Sequence, residues 1–76
     1  MAVHILLNGE RRAFPEPWTV RRLLDELGID PRTVAVEVNR TIVRRQQHDV
    51  TLIADGAEVE IVSFVGGGAA KLDRNV

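Results

Sequence analysis

Thr19-Val20-Arg21-Arg22-Leu23-Leu24-Asp25-Glu26-Leu27-Gly28 reads as a helix with both of its ends written into it. Val20, Leu23, Leu24 and Leu27 recur at i, i+3, i+4 and i+7, which is a single stripe along an α-helix. Thr19 is a residue type that accepts a hydrogen bond from a free first-turn N–H. Gly28 stands where helices commonly end in the left-handed conformation, and Pro31 lies shortly beyond. Asp25 and Glu26 sit four residues after Arg21 and Arg22, the less favourable order, so each pair adds at most about 0.3 kcal/mol. One apolar stripe needs a complementary apolar surface, and the segments on either side of it supply strands.

Upstream, Val3–Leu7 is a short apolar run closed by Asn8-Gly9. Both turn residues tolerate positive φ, the requirement of a type I′ hairpin turn, so Glu10–Phe14 is the expected return strand. Pro15 and Pro17 end that strand by removing backbone donors. Downstream, Val34–Val38 is rich in β-branched residues and runs into a turn at Asn39-Arg40, after which Thr41–Val43 continues as a short strand. Arg44–Asp49 is polar and is expected to be irregular or a single helical turn, Val50–Ile53 is apolar, and Asp55-Gly56 is a second turn signal. The last strand is Glu58–Val65.

Hairpin, crossing helix and later strands follow the order of the β-grasp, or ubiquitin-like, architecture. This is an α+β fold with a mixed four- to five-stranded sheet packed on one main helix. The first and last strands are then parallel neighbours in the middle of the sheet. The expected core is Val3, Ile5, Leu7, Val20, Leu23, Leu24, Leu27, Val36, Val38, Val59 and Ile61. At about 1.5–3 kcal/mol per fully buried aliphatic side chain, such a set offsets much of the ordering entropy of a small domain.

Val65-Gly66-Gly67-Gly68 is the second informative stretch. Glycine, lacking Cβ, enters narrow spaces closed to other residues, so glycines past a last strand make an arm of bare backbone. Fully extended, that arm reaches roughly 10 Å. Taken alone it reads as a joint to a tail; behind a β-grasp pattern it reads as a part delivered into another protein's site. Residues 1–65 are therefore assigned to the domain and residues 66–76 to a flexible glycine-rich arm and tail.

Composition excludes several classes. The 76 residues make one domain, and the absence of cysteine removes disulfides, thiolate metal sites and a cysteine nucleophile from this chain. A formal net charge of −1 without long runs of one sign gives no basic footprint for nucleic acid. No stretch approaches the ~20 apolar residues of a membrane span. A cytoplasmic location, with no membrane or nucleic-acid partner, and a monomeric free state are the expectations. His4 and His48 are isolated, with no ligand triad at metal spacing. His48 beside Asp49 reads as a loop pair, and the arginine pairs Arg11-Arg12, Arg21-Arg22 and Arg44-Arg45 as solvated surface. Trp18 reads as a staple over the core edge.

Several segments together resemble the ThiS family of sulfur carriers in thiamine biosynthesis. They are Leu7-Asn8-Gly9-Glu10, Thr19-Val20 with Leu23-Leu24-Asp25-Glu26-Leu27-Gly28, Val34-Ala35-Val36-Glu37-Val38-Asn39, Ile42-Val43-Arg44-Arg45, Asp55–Val62, and Val65-Gly66-Gly67-Gly68. Each is weak alone; their order, spacing and diglycine ending are specific, and they span residues 3–68. The resemblance implies a protein that is not itself an enzyme, with no catalytic residue, no metal and no bound cofactor. It implies that the carboxylate of the final glycine is adenylated by an ATP-using, E1-like adenylyltransferase, ATP being consumed by that partner. Sulfur from a donor protein then replaces one carboxylate oxygen, and the resulting thiocarboxylate serves thiazole synthase. Gly67 and Gly68, with Gly66, are the matching positions, the reactive carboxylate belonging to Gly68.

The chain departs from that pattern by continuing through Ala69-Ala70-Lys71-Leu72-Asp73-Arg74-Asn75-Val76. An internal glycine has no free carboxylate. Proteolytic removal of the tail, a tail foreign to the natural protein, and an altered role all stay open. Alternation on the last strand puts Val59 and Ile61 toward the helix and Val62 and Phe64 outward, where with Leu6 they are expected to form one docking patch for the partners, Val65 being a further expected interface residue. A bulge returning Phe64 to the core is the alternative. Two other functions stay open: a MoaD-like carrier for molybdopterin synthesis, and a non-catalytic ubiquitin-like interaction module whose glycines only tether a tail.

Overall fold

The computed structural model describes residues 2–64. The glycine arm and tail, with Val65, lie outside the described residues.

The first hairpin forms as its turn dictates. Strands β1 (Val3–Leu7) and β2 (Glu10–Phe14) pair antiparallel from Val3↔Phe14 to Leu7↔Glu10. Both turn residues are left-handed, Asn8 at φ 48° and Gly9 at φ 84°. The chain then crosses the sheet as α1 (Val20–Leu27). Its free N–H groups are all answered: Arg22 N–H donates to Thr19 Oγ1 at 3.0 Å, Arg21 N–H to the His48 carbonyl at 3.0 Å and Val20 N–H to the Thr51 carbonyl at 2.9 Å. Gly28, at φ 70°, ends the helix, and the N–H groups of Gly28 and Ile29 return to the Asp25 and Leu24 carbonyls. Arg22 and Glu26 pair at 2.9 Å and Arg21 and Asp25 at 3.4 Å, as their spacing predicts.

A 3₁₀ turn, Pro31–Thr33, links the helix to β3 (Val34–Val38), which pairs antiparallel with the short β4 (Thr41–Val43). A second 3₁₀ turn at Arg45–Gln47 occupies the polar stretch. The last strand, β5 (Glu58–Ser63), enters between β1 and β3. The sheet order is β2-β1-β5-β3-β4, with β1 and β5 parallel and the other pairs antiparallel. This is the β-grasp arrangement.

The core lies between the helix and one sheet face. Val3, Ile5, Leu7, Val20, Leu23, Leu24, Val36 and Val59 are buried as expected, while Leu27, Val38 and Ile61 are half-buried at its edge. Phe14, Val34, Ile53 and Ala57 complete it. Val50 and Leu52, from the same apolar run as Ile53, are exposed. Trp18 does staple the edge, stacking on Phe14 with centroids 4.2 Å apart beneath the Arg22 guanidinium at 4.8 Å.

The pairing of His48 with Asp49 does not form. Asp49 accepts from Arg21 at 3.1 Å, whereas His48 is only 4 % exposed, with Nε2 3.2 Å from the Val43 carbonyl. The imidazole is turned inward, and the His48 carbonyl caps the helix at Arg21 N–H.

Candidate functional site

The site expected from the sequence is the end of β5 and the open sheet face beside it. β5 is central, so its direction is set from both edges. On the β3 side the register runs from Val38↔Val59 to Val34↔Ser63, and Phe64 N–H extends it by donating to the Thr33 carbonyl at 2.8 Å. On the β1 side only Leu6↔Glu58 and Leu7↔Val59 pair, because β1 turns away at Asn8.

Asn8 continues that edge with its side chain. Its backbone N–H donates to the Val59 carbonyl at 2.9 Å. Its Oδ1 then accepts from Ile61 N–H at 2.8 Å, and its Nδ2 donates to the Ile61 carbonyl at 3.3 Å. Asn39 does the corresponding work at the start of β5: Glu58 N–H donates to its Oδ1 at 2.9 Å, and its own N–H to the Glu58 carbonyl at 2.7 Å. Both asparagines are left-handed, at φ 48° and 52°. Sequence reasoning found both turns and missed both clamps. The available signal was an asparagine, which carries donor and acceptor like a peptide unit, opening each turn.

Alternation places Leu6, Val62 and Glu60 on the open face, opposite the core-facing Val59 and Ile61. Leu6 is 38 % exposed, Val62 and Phe64 are half-buried, and Phe64 is not among the residues packed on the core, so the bulge returning it there is not present. A single patch does not follow. The parallel register sets Leu6 level with Glu58, and Val62 stands four residues further along β5, roughly 13 Å at the rise of a strand. Val62 instead pairs with Ala35. Between the two apolar positions the face is acidic, with Glu37 opposite Glu60 and Glu58 3.7 Å from Arg40. Val65, the remaining docking residue, and Gly66, Gly67 and Gly68 lie outside the described residues.

The expected ionisable groups do not converge. Among the described residues no group of His, Asp and Glu is placed to hold a metal ion. Arg21 is engaged by Asp49 and Asp25, which raise its pKa, and Arg12 approaches Glu10 at 3.5 Å. Asp30 is held at a pKa of about 2, below the ordinary carboxylate value, first by the Arg32 side chain and then by the Arg32 backbone N–H. No helix among the described residues is long and apolar enough to cross a membrane.

By fold this is a ubiquitin-like β-grasp domain whose central strand β5 is followed in sequence, after Phe64 and Val65, by three glycines. Residues 5–68 match the ThiS family, and the chain belongs to that family. It is 45% identical over 69 residues to a thiazole synthase of Paramagnetospirillum magneticum, covering 91% of this chain and 21% of that protein. It is also 35% identical over 66 residues to the uncharacterized protein ycf40 of Porphyra purpurea, covering 87% of this chain and 93% of that one. The crystal structure of the thiamine biosynthesis protein ThiS from Geobacter metallireducens superposes with a TM-score of 0.76 at 32% identity, over 87% of this chain and all of that one. The chain thus spans about a fifth of the length of the thiazole synthases it matches, and nearly the full length of its small relatives.

Proposed function

We propose that this domain carries sulfur for thiazole formation as a thiocarboxylate on Gly68. The observation that supports the reading is the extent of the family match, which runs through β5 to Gly68 and stops there. The domain contributes a rigid central strand and a docking face; the chemistry belongs to its partners. A carboxylate oxygen of Gly68 attacks the α-phosphorus of ATP in an E1-like adenylyltransferase, releasing pyrophosphate. Hydrosulfide released by a donor protein then attacks the acyl carbon, displacing AMP and leaving the thiocarboxylate. Thiazole synthase receives that sulfur, a role favoured by the two thiazole synthases among the relatives.

In the chain as it stands the Gly68–Ala69 peptide bond must be hydrolysed first, because an internal glycine has no free carboxylate to adenylate. A chain ending at Gly68 keeps every described residue and supplies the free carboxylate directly. Given its cognate adenylyltransferase, ATP and a sulfur source, it is expected to show one oxygen replaced by sulfur in its intact mass. No product while the enzyme modifies its own control carrier overturns the reading. In the same assay Val62→Asp is expected to raise KM for the carrier, since a charge would enter the apolar end of the open face.

A further inference from the structure

We propose that Asn8 is a positioning residue for the arm, its side-chain amide standing in for the next residue of β1 and fixing the end of β5. The inference rests on the carrier reading, since it concerns where the arm is anchored.

The β1-side hydrogen bonds of β5 form a regular series. Leu6 N–H reaches the Ala57 carbonyl at 3.0 Å, Asn8 N–H the Val59 carbonyl at 2.9 Å, and the Asn8 amide both polar groups of Ile61 at 2.8 and 3.3 Å. The last rung is a side chain because the backbone at Asn8, at φ 48°, has already turned into the hairpin. Few residues suit this position. Glycine tolerates the left-handed backbone but has no amide, aspartate accepts without donating, and glutamine lacks asparagine's ease in that conformation. Beyond Ile61, Ala35, Val34 and Thr33 hold β5 from its β3 edge.

The consequence is geometric. With the strand held to Phe64, four residues (65–68) separate the anchor from the reactive carbon. If β5 opens from Ile61 onward, eight residues (61–68) do so. Effective concentration at a docked partner's site falls roughly as the −3/2 power of tether length, so doubling the tether lowers it about threefold.

Asn8→Gly removes the amide and preserves the turn. Asn39→Gly is its control, removing the Oδ1 that accepts from Glu58 N–H at the far end of the strand. In the full chain, amide exchange at Ile61 is expected to accelerate in Asn8→Gly and not in Asn39→Gly, with Asn8→Asp restoring protection through its acceptor oxygen. In chains ending at Gly68, kcat/KM for adenylation is expected to fall about threefold or more in Asn8→Gly and to stay unchanged in Asn39→Gly. An Ile61 amide that stays protected in Asn8→Gly, or equal losses in the two glycine variants, overturns the proposal. Failure of the unsubstituted chain to be adenylated refutes the carrier reading itself, and this role with it.

Discussion

The two ends of β5 are built differently. At its start Val59 is fully buried, flanked by Leu7 on one edge and Val38 on the other, and Asn39 fastens Glu58 through both polar groups. Toward its finish Ile61 and Val62 are half-buried and Ser63 is exposed, and the Asn8 amide takes the place of a strand residue on the β1 edge. Local stability follows buried apolar contact and covered hydrogen bonds. The strand is therefore anchored more firmly at its start than at its finish.

The sharpest way to break this comparison is to shorten the same residue type at both ends. Val59→Ala removes two methyl groups from a closed core and is expected to cost about 2 kcal/mol or more, including the cavity. Val62→Ala, three residues on and facing outward, is expected to cost under about 1 kcal/mol. Urea unfolding with a constant slope measures both. Equal costs would mean that the finish of β5 is as firmly packed as its start.

The turn that holds the start contains a local fault. Arg40 occupies the left-handed position, at φ 68°, that Gly9 occupies in the first hairpin at φ 84°. A non-glycine residue there costs roughly 1–2 kcal/mol, and glycine returns part of it through a freer unfolded chain. Its exposed contact with Glu58, at 3.7 Å, offsets little. Arg40→Gly is expected to stabilise the domain by about 1 kcal/mol, raising Tm while leaving Ile61 exchange unchanged. A lower Tm would show that the arginine side chain contributes more than its backbone costs.

What could be read without coordinates was what the chain decides locally. The helix of residues 20–27, its Thr19 cap, its Gly28 stop and the Asn8-Gly9 hairpin each depend on residues within one turn of one another. The chain order then left the β-grasp as the arrangement that covers the helix stripe. The pairing of β1 with β5 joins residues about fifty positions apart, and no local pattern reveals that Leu6 meets Glu58 and not Val62. That register separates Leu6 from Val62 along the open face. Apart from its Asp55-Gly56 turn, the segment 48–57 was opaque for another reason: Ile53 and Ala57 are buried while Val50 and Leu52 are exposed, where no strand or helix gives a period to read. The glycines read as an arm behind the β-grasp pattern, and only the family resemblance attached a chemistry to that reading, because a glycine run by itself names none.

The smallest expected effect concerns the finish of β5 from its other edge. Phe64 is held by the Thr33 carbonyl, and Thr33 is held by Asp30 through its N–H at 3.0 Å and its hydroxyl at 2.7 Å, both to the Asp30 carbonyl. The Asp30 carboxylate fastens the same turn by accepting from Arg32 N–H at 2.9 Å and from the guanidinium at 2.9 and 3.1 Å. Its folded pKa of about 2 lies below the ordinary 3.8, so the carboxylate supports the fold fully above that ordinary value. The support is lost as pH falls from 3.8 through about 2. Amide shifts of Arg32, Thr33 and Phe64 are expected to titrate together with a midpoint near 2, while those of Asn39 and Glu58 lack that transition. Asp30→Asn keeps the side-chain acceptor for Arg32 N–H and removes the charge, and is expected to abolish the shared midpoint. If the midpoint survives, some other carboxylate governs the turn, and the finish of the strand is not held from this side by Asp30.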